Sequence, residues 1–167
     1  MLKIIHSMSS IRFSELMQVY REGNLENGAE LYSRQTPELQ LRNAEMDFYH
    51  YLNSVFFCQK DSCYAIWEVD GCYTSALRLE PYLDGLLLCA LETAPEARRR
   101  GYAFSLIQSV QAYLKARGCG VIYSHVSKKN TASLAVHKKC GFEVIRDCAV
   151  YSDGSVLHAS VTLAYHY

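Results

Sequence analysis

A chain of 167 residues is long enough for one domain with its own hydrophobic core, so it needs no disulfide or metal staple. Half of its residues are hydrophobic, and 17 basic residues balance 17 acidic ones, which disfavours a general nucleic-acid-binding protein. No apolar run approaches the roughly 20 residues that span a bilayer, and the chain turns polar by His6, too soon for a signal peptide.

Seven cysteines are scattered through the chain, and none forms a C-x-x-C pair. An odd number without paired spacing favours reduced thiols over a disulfide framework, which is typical of a cytoplasmic protein. The same spacing predicts no zinc site, and we expect no other metal ligand set.

The first part of the chain predicts a short strand and a helix. Residues 2–6 have the strand pattern, and Ser9 or Ser10 is expected to cap a helix that the pair 23–24, Gly-Asn, then interrupts. Residues 26–34 show no regular pattern and are expected to be irregular.

A second helix is predicted from Thr36, because Pro37 suits the first helical position and Glu38 suits the first turn. The aromatic run Phe48–Tyr51 lies on its ragged apolar face. Two interpretations of this run remain open: it packs against a sheet, or it lines a substrate pocket.

An antiparallel meander is predicted next. Two β-rich runs, Cys63–Val69 and Cys72–Leu79, flank an Asp-Gly pair, which is a strong hairpin signal because both turn positions take positive φ. A second Asp-Gly pair, 84–85, introduces the strand 86–94. This long apolar run, ending before a proline, is typical of a strand buried on both faces.

The turn after this strand is basic and contains glycine. A helix follows it, with apolar residues at spacings of three and four up to Leu114. The first amides of a helix have no internal partner and carry the positive end of the helix dipole, so this turn predicts a phosphate-binding site. Gly101 permits close approach of an anion, and Arg98, Arg99 and Arg100 add charge.

The pattern Arg98-x-x-Gly101-x-Ala103 resembles the pyrophosphate-binding signature Q/R-x-x-G-x-G/A of the GNAT superfamily of N-acetyltransferases. Taken alone, so short a pattern also fits an ordinary solvated helix start. The resemblance is close over residues 86–145, where a second block of the family follows at the expected distance.

This second block is a strand, Val121–Val126, followed by a helix. It is similar to the family pattern N-x-x-A/S-x-x-x-Y-x-x-x-G-F. The residues in register are Asn130, Ser133, Gly141 and Phe142. His137 replaces the tyrosine of the pattern.

The chain is expected to close with a hairpin, in which the pair 153–154, Asp-Gly, joins Glu143–Tyr151 to Val156–Tyr165. The last residues, Leu163–Tyr167, are interpreted either as the interface of a homodimer or as a plain sheet edge.

The resemblance implies an α/β fold in one domain, residues 1–167: the GNAT acyl-CoA N-acyltransferase fold, a mixed twisted sheet of about six to seven strands with helices on both faces. The predicted order agrees with it: strand, two helices, three strands, helix, strand, helix, two strands. In that fold the central strand and the strand after its helix splay apart, and acetyl-CoA lies between them.

The resemblance also implies which residues bind the co-substrate acetyl-CoA. Backbone groups of two central-strand residues contact the pantetheine, the loop amides hold the pyrophosphate, and the second block contributes from the other side. The residues concerned are Leu91, Thr93, Arg98, Arg99, Arg100, Gly101, Tyr102, Ala103, Asn130 and Ser133.

Acetyl transfer to an amine requires a base, because a lysine-like ammonium with a pKa of ~10.4 is almost fully protonated at neutral pH. His125 stands where one branch of the family has a glutamate base, and Glu92 is a second candidate beside the thioester. His137 is either the acid that protonates the leaving thiolate or a bystander. The alternative for His125 is a buried structural histidine.

The function predicted by the resemblance is an acetyl-CoA-dependent N-acetyltransferase that acts on a primary amine of a small molecule or peptide. The alternative is a non-catalytic acyl-CoA-binding sensor or regulatory module, which the replaced tyrosine admits. A nucleotide-binding loop is disfavoured because the lysine and hydroxyl of G-x-x-x-x-G-K-[S/T] are absent. We expect no nucleic-acid or membrane partner.

Overall fold

Strands and helices follow one another along the chain in a computed structural model that describes residues 1–167. The helices are α1 (Phe13–Val19), α2 (Arg21–Leu31), α3 (Pro37–Ser54), α4 (Tyr102–Lys115) and α5 (Thr131–Lys139). The strands are β1 (Leu2–Ile5), β2 (Cys63–Val69), β3 (Cys72–Tyr82), β4 (Gly85–Thr93), β5 (Val121–Ser127), β6 (Glu143–Arg146), β7 (Ala149–Val150), β8 (Val156–Leu157) and β9 (Ser160–His166).

Seven strands form one sheet in the order β1-β2-β3-β4-β5-β9-β6, and β7 and β8 form a separate two-stranded ribbon. Within the large sheet only β4 and β5 run parallel, whereas the other neighbours are antiparallel. A parallel pair needs a crossover connection, and α4 supplies it. The mixed seven-stranded sheet confirms the predicted fold class.

Apolar clusters cover both faces of this sheet. On one face, which we call the α4 face, Leu106 and Val110 of α4 pack with Leu88 of β4. The opposite face, which we call the α3 face, buries Leu16 of α1 and Leu52 of α3 in a second cluster. Helices therefore lie on both faces, as predicted.

The first hairpin turn forms as predicted, because Asp70 has φ 49° and Gly71 has φ 80°. The second turn differs, since Tyr82 pairs with Gly85 and the turn consists of Leu83 and Asp84. Gly85 is needed for packing instead: a Cβ added there would lie 2.3 Å from the carbonyl oxygen of Val121.

The predicted start and end of the first helix are wrong. Ser9 and Ser10 lie in a 3-10 turn and provide no cap, and α1 begins at Phe13. Gly23 lies inside α2 and does not interrupt a helix. The chain bends one turn earlier, at Tyr20, between α1 and α2.

The segment 26–34, predicted to be irregular, is helical as far as Leu31. Tertiary packing explains this, because α2 lies directly against the start of α3. A Cβ on Gly28 would lie 2.6 Å from the carbonyl oxygen of Gln40, so the glycine permits this close contact. By contrast α3 begins at Pro37 with Thr36 as N-cap, as predicted.

The closing hairpin is confirmed in its pairing but is interrupted. β6 pairs with β9 antiparallel, with Glu143 opposite Ala164. β7 and β8 then form their own ribbon around the Asp-Gly turn. The interpretation of the last strand as an edge is wrong, because β9 lies between β5 and β6, where Leu163 and Ala164 are buried.

All seven cysteines are free thiols. None of the helices combines the length and the apolar character needed to cross a membrane.

Two glycine substitutions test this packing with opposite signs. We expect Gly85→Ala to lower the free energy of unfolding by about 1–3 kcal/mol, because the new methyl group clashes with the β5 backbone. Gly23→Ala is the matched control: it lies in α2 with no atom within 4 Å of the added Cβ, and should raise stability by about 0.5–1 kcal/mol. Urea unfolding measures both, and equal effects would contradict the close approach of β4 to β5.

Candidate functional site

A gap opens in the middle of the sheet. β4 and β5 pair only from Leu86, opposite Ile122, to Leu88, opposite Ser124. Both strands continue beyond this point, β4 to Thr93 and β5 to Ser127, without pairing with each other. Their facing edges therefore carry peptide groups that the sheet does not satisfy.

A β-bulge lies in β4 where this gap begins. Cys89 pairs with Arg78 and Glu92 pairs with Ala76, so two residues of β4, at positions 90 and 91, stand opposite one of β3. Ala90 has φ 51°, a left-handed conformation that is costly for a residue with a Cβ.

The bulge shifts the alternation of side chains by one residue. Before it, Leu88 lies in the cluster of the α4 face; after it, Leu91 packs against the same cluster, whereas Ala90 packs on the α3 face. Glu92 is the cross-strand partner of Ala76, a residue of the α3-face cluster. The carboxylate of Glu92 is therefore directed to the α3 face.

Backbone directions follow from the same pairing. The Ala94 N–H donates to the carbonyl oxygen of Thr74 on β3 at 2.9 Å. Successive residues of a strand direct their peptide groups to opposite edges, so those of Leu91 and Thr93 point into the gap.

A cleft of about 680 Å³ extends from the gap along the start of α4 and one side of α5. It is lined by both strand and helix residues, with apolar side chains making up half of the lining. The lining residues are Leu91, Glu92, Thr93, Ala97, Arg98, Arg99, Gly101, Tyr102, Ala103, Phe104, Asn130, Ala132, Ser133, Ala135, Val136 and Lys139.

The turn at the start of α4 presents free amides to this cleft. Arg99 has φ 63° and Gly101 has φ 81°, so the chain twice adopts the left-handed conformation before the helix. The amides from Arg99 to Phe104 donate no backbone hydrogen bond. A run of unsatisfied amides at a helix N-terminus is suited to bind an anion such as phosphate.

The three arginines of this turn differ in position. Arg98 donates from Nε to the Thr93 carbonyl at 3.2 Å and forms an ion pair with Glu22 at 2.6 Å, so it joins β4 to α2. Arg99 lines the cleft, whereas Arg100 is exposed and does not line it.

Asn130 and Ser133 lie on the opposite wall, at the start of α5. Asn130 is the N-cap, and its Oδ1 accepts a hydrogen bond from the Ser133 amide at 3.0 Å. Both residues line the cleft.

His137 lies one helical turn further along α5 and does not line the cleft. Its side chain is 1% exposed, its Nδ1 is 2.8 Å from the Ser133 carbonyl oxygen, and its ring packs against Phe142. Burial lowers the pKa of His137, so the ring is neutral at pH 7. A neutral ring that donates from Nδ1 to a carbonyl has a bare Nε2, which cannot donate a proton.

His125 lies on β5 beyond the part that pairs with β4, opposite Thr162 of β9, and its ring is on the α3 face. Its ring packs between Tyr82 and Tyr151, with centroid distances of 5.3 and 5.1 Å. Both ring nitrogens are buried and make no hydrogen bond. Burial, followed by the positive charge of Arg146, lowers the pKa of His125. The structure therefore separates the two histidines, which lie on opposite faces of the sheet.

Glu92 is half-buried at the end of the gap. Burial raises the pKa of its carboxyl group; the Arg98 charge opposes this shift, and Glu22 and Glu26 of α2 add to it. A carboxylate with a raised pKa is a stronger base than one on the surface.

Several cleft residues were missed from the sequence. On α5 they are Ala132, Ala135, Val136 and Lys139; the others are Phe104 on α4 and Ala97 in the turn before it. The α5 residues share one helix face at spacings of three and four, and this pattern would have found them.

Known proteins are similar to this chain in sequence. Residues 25–142 match the model of the acetyltransferase (GNAT) family. Aminoglycoside N(6')-acetyltransferase type 1 of Salmonella typhimurium is 36% identical over 75 residues, which are 45% of this chain and 46% of that protein. The protein of the same name from Serratia marcescens is 35% identical over 74 residues, which are 44% of this chain and 45% of that protein. The matched region spans about half the length of these curated relatives.

Two solved structures are similar over the whole chain. PaiA N-acetyltransferase from Thermoplasma acidophilum, in complex with coenzyme A, has a TM-score of 0.67 at 14% identity, covering 100% of this chain and 99% of that one. Aminoglycoside 6'-acetyltransferase type Ii has a TM-score of 0.65 at 11% identity, covering 99% of this chain and 96% of that one. At these identities the likeness shows the fold.

The burial of His137 predicts a pH dependence of stability. Its pKa is lowered in the folded state, so the unfolded chain binds the proton more readily below about pH 6.5. We expect stability to be highest above this pH and to fall on acidification to pH 5.5, with His137 contributing at most about 1.4 kcal/mol per pH unit.

Urea unfolding at pH 7.5 and 5.5 measures this slope. His137→Gln should reduce it and leave the part that the buried His125 contributes, whereas the exposed control His158→Gln should keep the wild-type slope. Equal slopes in all three proteins would show that His137 does not titrate with unfolding.

Proposed function

The chain belongs to the acetyltransferase (GNAT) family, and from this premise we propose that it transfers an acetyl group from acetyl-CoA to a primary amine of a small molecule. The observation that carries the proposal is the run of free amides from Arg99 to Phe104 at one end of the cleft, with the gap between β4 and β5 at the other. This arrangement suits a long ligand with a phosphate group at one end and hydrogen-bonding groups along its length.

The residues of the cleft fit coenzyme A in this way. The amides of Arg99 to Phe104 hold the pyrophosphate, and Arg99 adds positive charge. The gap-facing amides of Leu91 and Thr93 bind the pantetheine arm as a partner strand would, and Asn130 contributes from the far wall. Bound acetyl-CoA supplies the thioester whose acetyl group is transferred.

The Leu91 amide also has a role in the chemistry. It points into the gap with no partner on β5, so it can donate to the acetyl carbonyl oxygen as negative charge develops there. Because the amide is fixed by the sheet, this stabilisation requires no rearrangement during the reaction.

We propose Glu92 as the base. It lines the cleft, faces the side opposite α4, and is half-buried with a raised pKa, so it is suited to accept a proton from the ammonium group of the acceptor. His125 is on the same face with two unpartnered ring nitrogens and is the second candidate.

Of the two roles considered for His137, acid and bystander, the acid role is the less suited to its position. His137 is neutral and its Nε2 has no partner, so protonation of the leaving thiolate falls to the transferred amine proton or to solvent. This placement favours a bystander role for His137, in which it fixes the first turn of α5 through Ser133.

The acceptor is proposed to be a small polar amine with several hydroxyl or amino groups. Glu22 and Glu26 of α2 lie near enough to Glu92 to raise its pKa. Arg98 forms an ion pair with Glu22, so the carboxylates of Glu26 and Glu92 remain to attract a cationic acceptor. On the same α3 face, the Tyr64 hydroxyl group and Arg78 Nε are buried without hydrogen-bond partners, and Glu80 Oε1 lies 3.6 Å from that Nε. The match to aminoglycoside acetyltransferases over part of the chain supports this class.

Calorimetric titration with acetyl-CoA tests the cofactor site. We expect micromolar binding by the wild type and a loss of at least about tenfold in Gly101→Glu, because the new carboxylate occupies the anion site. Gly118→Glu is the matched control, since Gly118 also has positive φ and open space around it but lies after the far end of α4.

Loss of binding in both variants, or in neither, would contradict the assigned pyrophosphate site. Binding without turnover of any amine in a panel of aminoglycosides, polyamines and peptides would favour the acyl-CoA sensor, which the neutral His137 leaves open.

Substitution of the base tests the chemistry. We expect Glu92→Gln to lower kcat by about 10²–10⁴-fold and to remove the acid limb of the kcat/KM profile, which in the wild type rises with pH through the raised pKa of Glu92. Glu96→Gln, an exposed neighbour outside the cleft, is the control. If Glu92→Gln keeps full activity while His125→Gln loses it, the base is His125.

A further inference from the structure

The bulge in β4 is strained and yet decisive for the site. Ala90 adopts φ 51° although it has a Cβ and no polar side chain with which to stabilise that conformation locally. If the extra residue were lost, Leu91 and Glu92 would exchange faces, because a shift of one residue reverses every side chain of a strand. Some interaction outside β4 must therefore favour the bulged form.

A buried hydroxyl group contacts the bulge directly. Tyr20, the residue between α1 and α2, donates from its hydroxyl to the Ala90 carbonyl oxygen at 2.6 Å. The Tyr20 side chain is 7% exposed, and its ring packs edge-on against Phe48 of α3 and Tyr64 of β2. Its position is thus fixed by both helices and sheet, independently of β4.

The environment keeps this hydroxyl group a donor. Burial, with the nearby Tyr64, raises the pKa of Tyr20, so the phenol stays protonated across the working pH range. A short hydrogen bond shielded from water resists exchange with solvent, and its loss leaves a buried carbonyl oxygen without this partner.

We propose that Tyr20 is a positioning residue for acetyl transfer: its hydroxyl group holds the Ala90 carbonyl, and so fixes the bulge that directs the Leu91 amide into the gap and the Glu92 carboxyl group toward the amine. This inference rests on the proposed function for its kinetic consequence. The structural part, the hold of Tyr20 on the bulge, stands without it.

A second contact in the same region acts in parallel with this one. Arg98 joins Glu22 of α2 to the Thr93 carbonyl at the other end of the gap-facing segment. The part of β4 that faces the gap is thus held at one end by Tyr20 and at the other by Arg98, which is paired with Glu22 of α2. Contacts from the α1–α2 region therefore help to fix the geometry of this part of β4.

The test is Tyr20→Phe, which removes the hydroxyl group and keeps the ring. We expect kcat to fall by about tenfold or more with a smaller change in the KM for acetyl-CoA, and the acid limb of the pH–rate profile to move as Glu92 is displaced. Tyr73→Phe is the matched control: Tyr73 is in the same cluster, but its hydroxyl group contacts the Arg12 amide, not β4.

A double variant separates positioning from general stability. Glycine adopts positive φ without strain, so Ala90→Gly should restore part of the kcat lost in Tyr20→Phe. Equal losses of activity in Tyr20→Phe and Tyr73→Phe, in proportion to lost stability, would overturn the proposal. So would an unchanged kcat and pH profile in Tyr20→Phe.

Amide NMR of the free protein distinguishes failure of this inference from failure of the proposed function. In Tyr20→Phe we expect the Leu91 and Glu92 amide signals to shift well beyond those of Tyr73→Phe. If they shift while the wild type transfers no acetyl group, Tyr20 holds the bulge but the enzyme function is wrong. If they do not shift, Tyr20 does not position β4, whatever the activity.

Discussion

The structure depends on a strand whose edge is left unpaired in the middle of a sheet. After Leu88, β4 continues for several residues with β3 paired on one side and no strand paired on the other. Peptide groups in such a position need partners, and the free amides at the start of α4 present the same need a short distance along the chain. A ligand that satisfies both sets has hydrogen-bonding groups along an extended arm and an anion at its end.

The two faces of the sheet present different chemical groups around this gap. In the proposed function, the free amides and the part of the cleft on the α4 face bind the cofactor. Glu92, which also lines the cleft, His125 and the acidic residues of α2 face the acceptor on the α3 face. The bulge at Ala90 sets the division, because it determines which side chain of β4 points to which face. In the proposed reaction both substrates meet at the gap, where β4 and β5 no longer pair.

The sequence predicts those features that local chemistry determines. The Asp70–Gly71 turn, the start of α3 at Pro37 and the basic turn before α4 follow from backbone preferences of a few residues. The bulge could not be predicted, because no glycine marks Ala90 and its conformation depends on Tyr20, 70 residues away. Likewise α2 forms where Gly28 packs on α3. His137 is buried against Phe142, which directly precedes β6.

The most direct test of this account is to follow the backbone amide signals of the protein during titration with acetyl-CoA. The account predicts that the largest shifts occur at Leu91 and Thr93 and from Arg99 to Phe104, with small shifts across α2 and α3. Large shifts confined to another surface, such as residues 31–35 between α2 and α3, or no shifts at saturating concentration, would contradict the assignment of the gap and cleft to acyl-CoA.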